Sequence, residues 1–128
     1  MFMSGRSDGI LSLHIEIEKG SRRTLIVRLA GELDHHSSEI VKQKMEEELQ
    51  KESRINVVLS LKDLTFMDSS GLGVILGRYK HITGKGGRMV VCDVHPSVYR
   101  LFELSGMFKI ITIQDNERQA MSSLEVVS

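Results

Sequence analysis

The residues best suited to chemistry fall in one stretch, MDSSGLG at 67–73. Asp68 is acidic, Ser69 and Ser70 are hydroxylic, and a helical apolar pattern begins directly after them. The plain reading is a helix cap, in which Asp or Ser accepts an exposed N–H of the first turn. The same geometry suits a modification site. A serine at a helix start is exposed, and the positive helix end with its unpaired N–H groups tolerates an added phosphate. Modification there changes the surface without unfolding the domain. Gly71 and Gly73, just after the serines, are expected to leave the site open to a docking protein.

Other chemistries find less support. His35 and His36 are neighbours, and adjacent side chains rarely reach one ion. Cys92 is the only cysteine, and HExxH and CxxC are absent, so no metal site is expected. A Ser-His-Asp hydrolase would want GxSxG, whereas the serines stand in DSSGLG. Cys92 follows Val90 and Val91 and reads as a small core residue. Gly71, Gly73 and Gly77 form GxGxxxG, one residue off the dinucleotide fingerprint, and no GxxxxGK[ST] accompanies it. The chain is therefore expected to hold no cofactor and no catalytic residue of its own.

Composition narrows the classes further. A length of 128 residues suggests one domain, and 41% hydrophobic with 27% charged residues is ordinary globular composition. Seventeen basic residues balance seventeen acidic ones. That balance disfavours direct nucleic-acid binding and a polybasic membrane anchor. No apolar run reaches the length of a membrane span, and residues 1–10 lack the apolar core of a signal peptide. With a lone cysteine, the expected setting is a reducing, cytoplasmic one.

The elements that must position the serines follow from periodicity. Leu11, Leu13, Ile15 and Ile17 alternate with polar residues, which predicts a half-buried strand. KGSRR then turns the chain into a second strand over 24–30, expected to pair antiparallel with the first. A helix follows GELDHHSS, with Ser37 or Ser38 as its cap and Ile40, Val41, Met45 and Leu49 on its apolar face. Residues 55–61 read as a strand, with DLTFMD as the loop after it. Residues 69–82 read as a helix ended by GKGG, and 88–93 as a strand. Pro96 opens a helix that Gly106 caps. A strand over 109–113 and a helix over 117–124, started by Asp115 or Asn116, complete the chain. The repeated β-α-β order predicts parallel strands with right-handed crossovers. Thr24, Arg28, Asn56 and Ser60 interrupt the second face of the sheet. The expected fold is α/β, a small mixed and mostly parallel sheet with helices mainly on one face.

Three stretches then carry a resemblance: GELDHH at 31–36, DLTFMDSSGLGVILGRYK at 63–80 and LSGMFKII at 104–111. Together they resemble the STAS-domain anti-sigma-factor antagonists, above all the sporulation sigma-F group of Bacillus-like endospore formers. The resemblance spans residues 11–127; residues 1–10 read as a flexible leader and 11–128 as one STAS domain. It implies that the unmodified protein binds an anti-sigma factor that is also a serine kinase, and so frees the sigma factor. It further implies that the kinase phosphorylates Ser69, that a serine phosphatase reverses this, and that Ser70 does not substitute. Asp34 is implied as a partner contact, and Asp68, Ser69, Ser70, Gly71, Leu72 and Gly73 are expected to share that surface. The edge near Arg78 is expected to meet the partner too, with Lys80 and His81 facing solvent. The chain itself is expected to be a kinase substrate and a binding protein, with no enzymatic step of its own.

Overall fold

The structure is a computed structural model that describes residues 13–52 and 55–125. The leader at 1–10 and the expected strand residue Leu11 lie outside that range. Two strands, β1 (Leu13–Lys19) and β2 (Thr24–Leu33), precede helix α1 (Ser38–Glu52). Then come β3 (Asn56–Met67), α2 (Ser69–Gly84), β4 (Met89–Cys92), α3 (Pro96–Ser105), β5 (Thr112–Gln114) and α4 (Glu117–Glu125). The sheet runs in the order β1-β2-β3-β4-β5. β1 is antiparallel to β2, and every later pairing is parallel.

Chain direction explains where the helices sit. The sheet grows one strand at a time in one direction, and crossovers of one hand then place their helices on a common face. Helices α1, α2 and α3 are these crossovers. They cover a core built from Leu25, Val27 and Leu29 of β2, Val57, Leu59 and Leu61 of β3, and Val41, Met45, Ile75, Val98 and Phe102 of the helices. Helix α4 follows the last strand, so no crossover constrains it. It packs on the opposite face, where Ala120 and Leu124 meet Ile26, Val58, Val90 and Cys92. The period of two thus divides each strand between two apolar layers. Arg28, which interrupts the second face, is held there by charge. Its Nε lies 2.6 Å from Glu117 Oε2, and its Nη2 lies 2.9 Å from Glu117 Oε1 and 2.8 Å from Glu18 Oε1.

Two strands run further than periodicity predicts. β2 continues to Leu33 and β3 to Met67, so DLTFM is strand, not loop. The reason is a pair of register shifts. Arg28 pairs with Ser60 but Ala30 with Asp63, and Gly31 pairs with Leu64 but Glu32 with Phe66. Each shift inserts one extra residue into β3 and breaks the alternation there, as a β-bulge does. Gly31 sits at the second shift with φ 101°, a conformation that favours glycine. β4 pairs only with residues 57–60 of β3. Beyond that point β2 and β3 continue together, with β1 still beside β2 as far as Gly31, and their paired ends run on to Leu33 and Met67.

The last third differs in detail. Gly106 is the left-handed cap of α3, with φ 78°, and Pro96 stands at its first turn behind the cap His95. The expected strand over 109–113 is instead a 3₁₀ turn, Met107–Lys109, followed by β5. The turn starts at Gly106, where Lys109 N–H donates to the Gly106 carbonyl at 3.0 Å, and this delays the strand by three residues. Asn116 caps α4, its side chain accepting from Gln119 N–H at 2.9 Å.

Candidate functional site

β2 and β3 end level. Leu33 and Met67 are register partners, so Asp34 and Asp68 are each the first residue past neighbouring strand ends. Without the two shifts in β3, Asp34 would stand beside the strand's exposed Phe66 region. The bulges therefore deliver Asp68, and the serines behind it, to the same edge as Asp34.

Asp68 is the N-cap of α2. Its backbone is extended, and its Oδ1 accepts from Ser70 N–H at 2.9 Å and Gly71 N–H at 3.3 Å. Its own N–H donates to the Leu33 carbonyl at 3.3 Å, which ties the helix start to β2. Asp34 organises the other turn in the same way. Its Oδ1 accepts from His36 N–H at 2.9 Å and Ser37 N–H at 3.0 Å. The bond from Ser37 N–H, aided by that from His36, holds the Asp34 carboxyl below the usual range against the opposing effect of desolvation. The Ser37 hydroxyl does not cap α1. It accepts from Asp34 N–H and donates to the Glu32 carbonyl, both at 3.0 Å, while the Ser37 carbonyl receives the first helical bond from Val41. Ser38 Oγ donates back to the Asp34 carbonyl at 2.6 Å. One oxygen of each aspartate is thus engaged with its own turn.

The serines differ in exposure. Ser69 is exposed and Ser70 is half-buried. Gly71 is buried, which corrects its expected place on the docking surface. A Cβ there would come within 2.5 Å of Met67 Cγ and 2.9 Å of the Leu33 carbonyl oxygen. Gly71 is a close-approach glycine that lets α2 press on both strand ends. Gly73 is exposed, and a Cβ there would meet nothing within 4 Å. Leu72 is half-buried and packs against the main core.

Arg78 is also corrected. It is 8% exposed, and its Nη1 lies 2.9 Å from Glu46 Oε2, so it joins α2 to α1 and presents no edge. Lys80 and His81 are exposed. Sequence reasoning missed Phe66, which is 46% exposed three residues before Ser69. Its signal was hidden by the bulge, since alternation from Leu64 would not separate Phe66 from the core. His35 and His36 are exposed with ring centroids 5.3 Å apart. Among the described residues no group of three His, Cys, Asp or Glu side chains could hold a metal ion. Among them too, no helix is long and apolar enough to cross a membrane.

The comparisons with known proteins agree with this fold. The STAS domain family matches residues 14–120. An anti-sigma F factor antagonist of Paenibacillus polymyxa is 59% identical over 118 residues, covering 92% of this chain and all of that one. The solved anti-sigma factor antagonist SpoIIAA in its unphosphorylated form superposes with a TM-score of 0.70 at 26% identity, covering 88% of this chain and 99% of that one. The phosphorylated form of the Bacillus cell fate determinant SpoIIAA superposes with a TM-score of 0.67 at 29% identity, covering 85% and 97%. With the family match over most of its length, its 59% identity to one such antagonist and its five-stranded mixed sheet, the chain belongs to the STAS-domain family, among the anti-sigma factor antagonists.

Proposed function

We propose that the unphosphorylated protein binds an anti-sigma factor that is also a serine kinase, releases the sporulation sigma factor from it, and is inactivated by phosphorylation on Ser69. One observation carries this reading. Ser69 is exposed directly after Asp68, at the edge where β2 and β3 end level and Asp34 and Asp68 follow them. The similarity to an anti-sigma F factor antagonist, and to a relative solved with and without phosphate, supports the same role. In this reading the chain is the kinase's substrate, and the ATP and Mg²⁺ belong to the kinase. A serine phosphatase resets the switch, and the action is cytoplasmic. Asp34, Asp68, Ser69, Ser70, Leu72 and Gly73 form or frame the partner surface. Gly71 supports it from beneath.

Charge is sufficient as the inactivating force. A phosphate adds about −1.5 to −2 charges at Ser69. Repulsion from one partner carboxylate at about 5 Å is about 2–6 kcal/mol for an effective dielectric constant between about 80 and 20. About 2.7 kcal/mol already equals a hundredfold loss of affinity. The first-turn N–H groups of Ser70 and Gly71 are engaged by Asp68. The added charge therefore faces outward toward the partner, with little backbone change required.

The test is incubation with the cognate anti-sigma kinase and ATP, followed by peptide mass spectrometry. Phosphate on Ser69 is expected. Phosphate elsewhere, or none, overturns the assignment.

A further inference from the structure

We propose that Asp68 is a positioning residue that makes Ser69, and not its neighbour Ser70, the phosphate acceptor. The inference rests on reading Ser69 as the switch serine and adds how that serine is selected. Two hydroxyls stand side by side in DSSG, so sequence spacing alone does not choose between them.

The choice is built into the first turn of α2. Asp68 Oδ1 holds the N–H of Ser70 at 2.9 Å and that of Gly71 at 3.3 Å, and the Asp68 carbonyl accepts from Leu72 N–H at 3.2 Å. The turn is thereby closed from its first residue. Beneath it, Gly71 lies so close to Leu33 and Met67 that no side chain fits. A helix start pinned by a cap above and a close approach below has one orientation. In that orientation Ser69 is exposed and Ser70 is half-buried. In the transfer, Ser69 Oγ bonds to the γ-phosphorus of ATP while the bond to the β–γ bridging oxygen breaks. ADP leaves, and the hydroxyl proton passes to a base on the kinase. An attacking oxygen must reach in line, so the orientation of the first turn decides which hydroxyl is presented.

The effect belongs to the hydrogen-bonding cap and not to the negative charge of Asp68. Asn keeps the cap and removes the charge, whereas Glu keeps the charge on a side chain too long for the cap. Ala removes both.

The full-length chain and its D68A, D68E and D68N variants would be incubated with the cognate kinase and ATP, and phosphoserine assigned by fragment mass spectrometry over time. Amide exchange at Ser70 and Gly71, followed by NMR, reports whether the cap is open while the rest stays folded. Wild type and D68N are expected to take phosphate on Ser69 alone. In D68A and D68E the ratio of Ser69 to Ser70 phosphate is expected to fall by about fivefold or more from a wild type labelled on Ser69, since a lost cap of about 1 kcal/mol shifts the ordered first turn against its frayed forms by about that factor. Should D68A fail to fold, D68E and D68N alone still separate cap from charge. Ser69-only labelling in D68E overturns the proposal, as does a D68N variant that labels Ser70. A wild-type protein not labelled on Ser69 overturns the switch assignment itself, a failure visible before any variant is compared.

Discussion

The N–H of Asp68 donates to the carbonyl of Leu33 at 3.3 Å, so the residue that caps α2 is also bonded across to the end of β2. The two halves of the site are joined at this point. The turn at Asp34 follows directly from Leu33, and the turn at Ser69 follows directly from Asp68. A displacement of either strand end is passed to the other through one backbone bond and the contact of Gly71 with Leu33 and Met67.

The two outer glycines of GLG should respond oppositely to alanine. Gly71→Ala forces a methyl against the Leu33 carbonyl, which cannot rotate away, and should cost about 1–3 kcal/mol, as overpacking does. Gly73→Ala enters open space within a helix and should stabilise by about 0.5–1 kcal/mol. Urea titrations of both variants check this. Equal midpoints would contradict it.

Ser69→Ala should leave the resting surface intact, because the serine hydroxyl is exposed and Asp68 supplies the cap. It should bind the anti-sigma kinase as wild type does and resist inactivation by ATP. Ser69→Glu should bind at least about tenfold more weakly, since it brings one charge to where phosphate brings about two. Calorimetric titration against the purified kinase measures both.

The Arg28–Glu117 pair should make the fold acid-sensitive. The hydrogen bond from Arg28 holds the Glu117 carboxyl below its ordinary value, against the opposing effect of burial. A carboxyl depressed in the folded state contributes stability that is fully present above its unfolded value of about 4.3. That contribution is lost as pH falls through the lower folded value. Glu117→Gln should therefore cost about 1–2 kcal/mol at pH 7 and flatten the stability curve below about pH 4.5. Thermal melts from pH 3 to 7 test the slope.

Cys92 should serve as a reporter of α4. Burial, reinforced by nearby Asp93, pushes the thiol up to about 12, so little thiolate exists near neutrality. It lies in the apolar layer that Ala120 and Leu124 cover. Labelling by an aromatic disulfide should be slow in the native protein and faster in Glu117→Gln, which loosens the tie between α4 and β2. Equal rates in the two would show that α4 does not control access.

The fold was legible where periodicity was uninterrupted. Alternation over residues 13–17 and 24–29 and the signals at Pro96 and Gly106 each name the element found there, and of the two starts offered for the last helix, Asp115 or Asn116, Asn116 is the cap. The ends of β2 and β3 were not legible, because two bulges erase the alternation where the site begins. Ser69 and Ser70 stood out together as hydroxyls at a helix start, with Asp68 or a serine as the cap, and only the resemblance singled out Ser69. Gly71 misled, because glycine is written alike where space is open and where a neighbour forbids a Cβ. Arg78 misled because a long cation in an amphipathic helix reads as surface, and its partner Glu46 lies 32 positions away. The Arg28–Glu117 tie spans 89 positions, and spacing carries no signal over that distance.

The strand order β1-β2-β3-β4-β5 never doubles back on itself. Small-molecule sites of α/β sheets lie in the crevice that opens where strand order reverses and neighbouring loops part to opposite faces. This sheet has no such reversal. β2 and β3 instead pair on past residue 60, where β4 stops, to Leu33 and Met67, and Ser69 follows them as an exposed residue at that edge. A metabolite arriving there would lose little of its hydration and gain few contacts. A macromolecule with its own concavity would gain both, so the domain is shaped to be read by another protein.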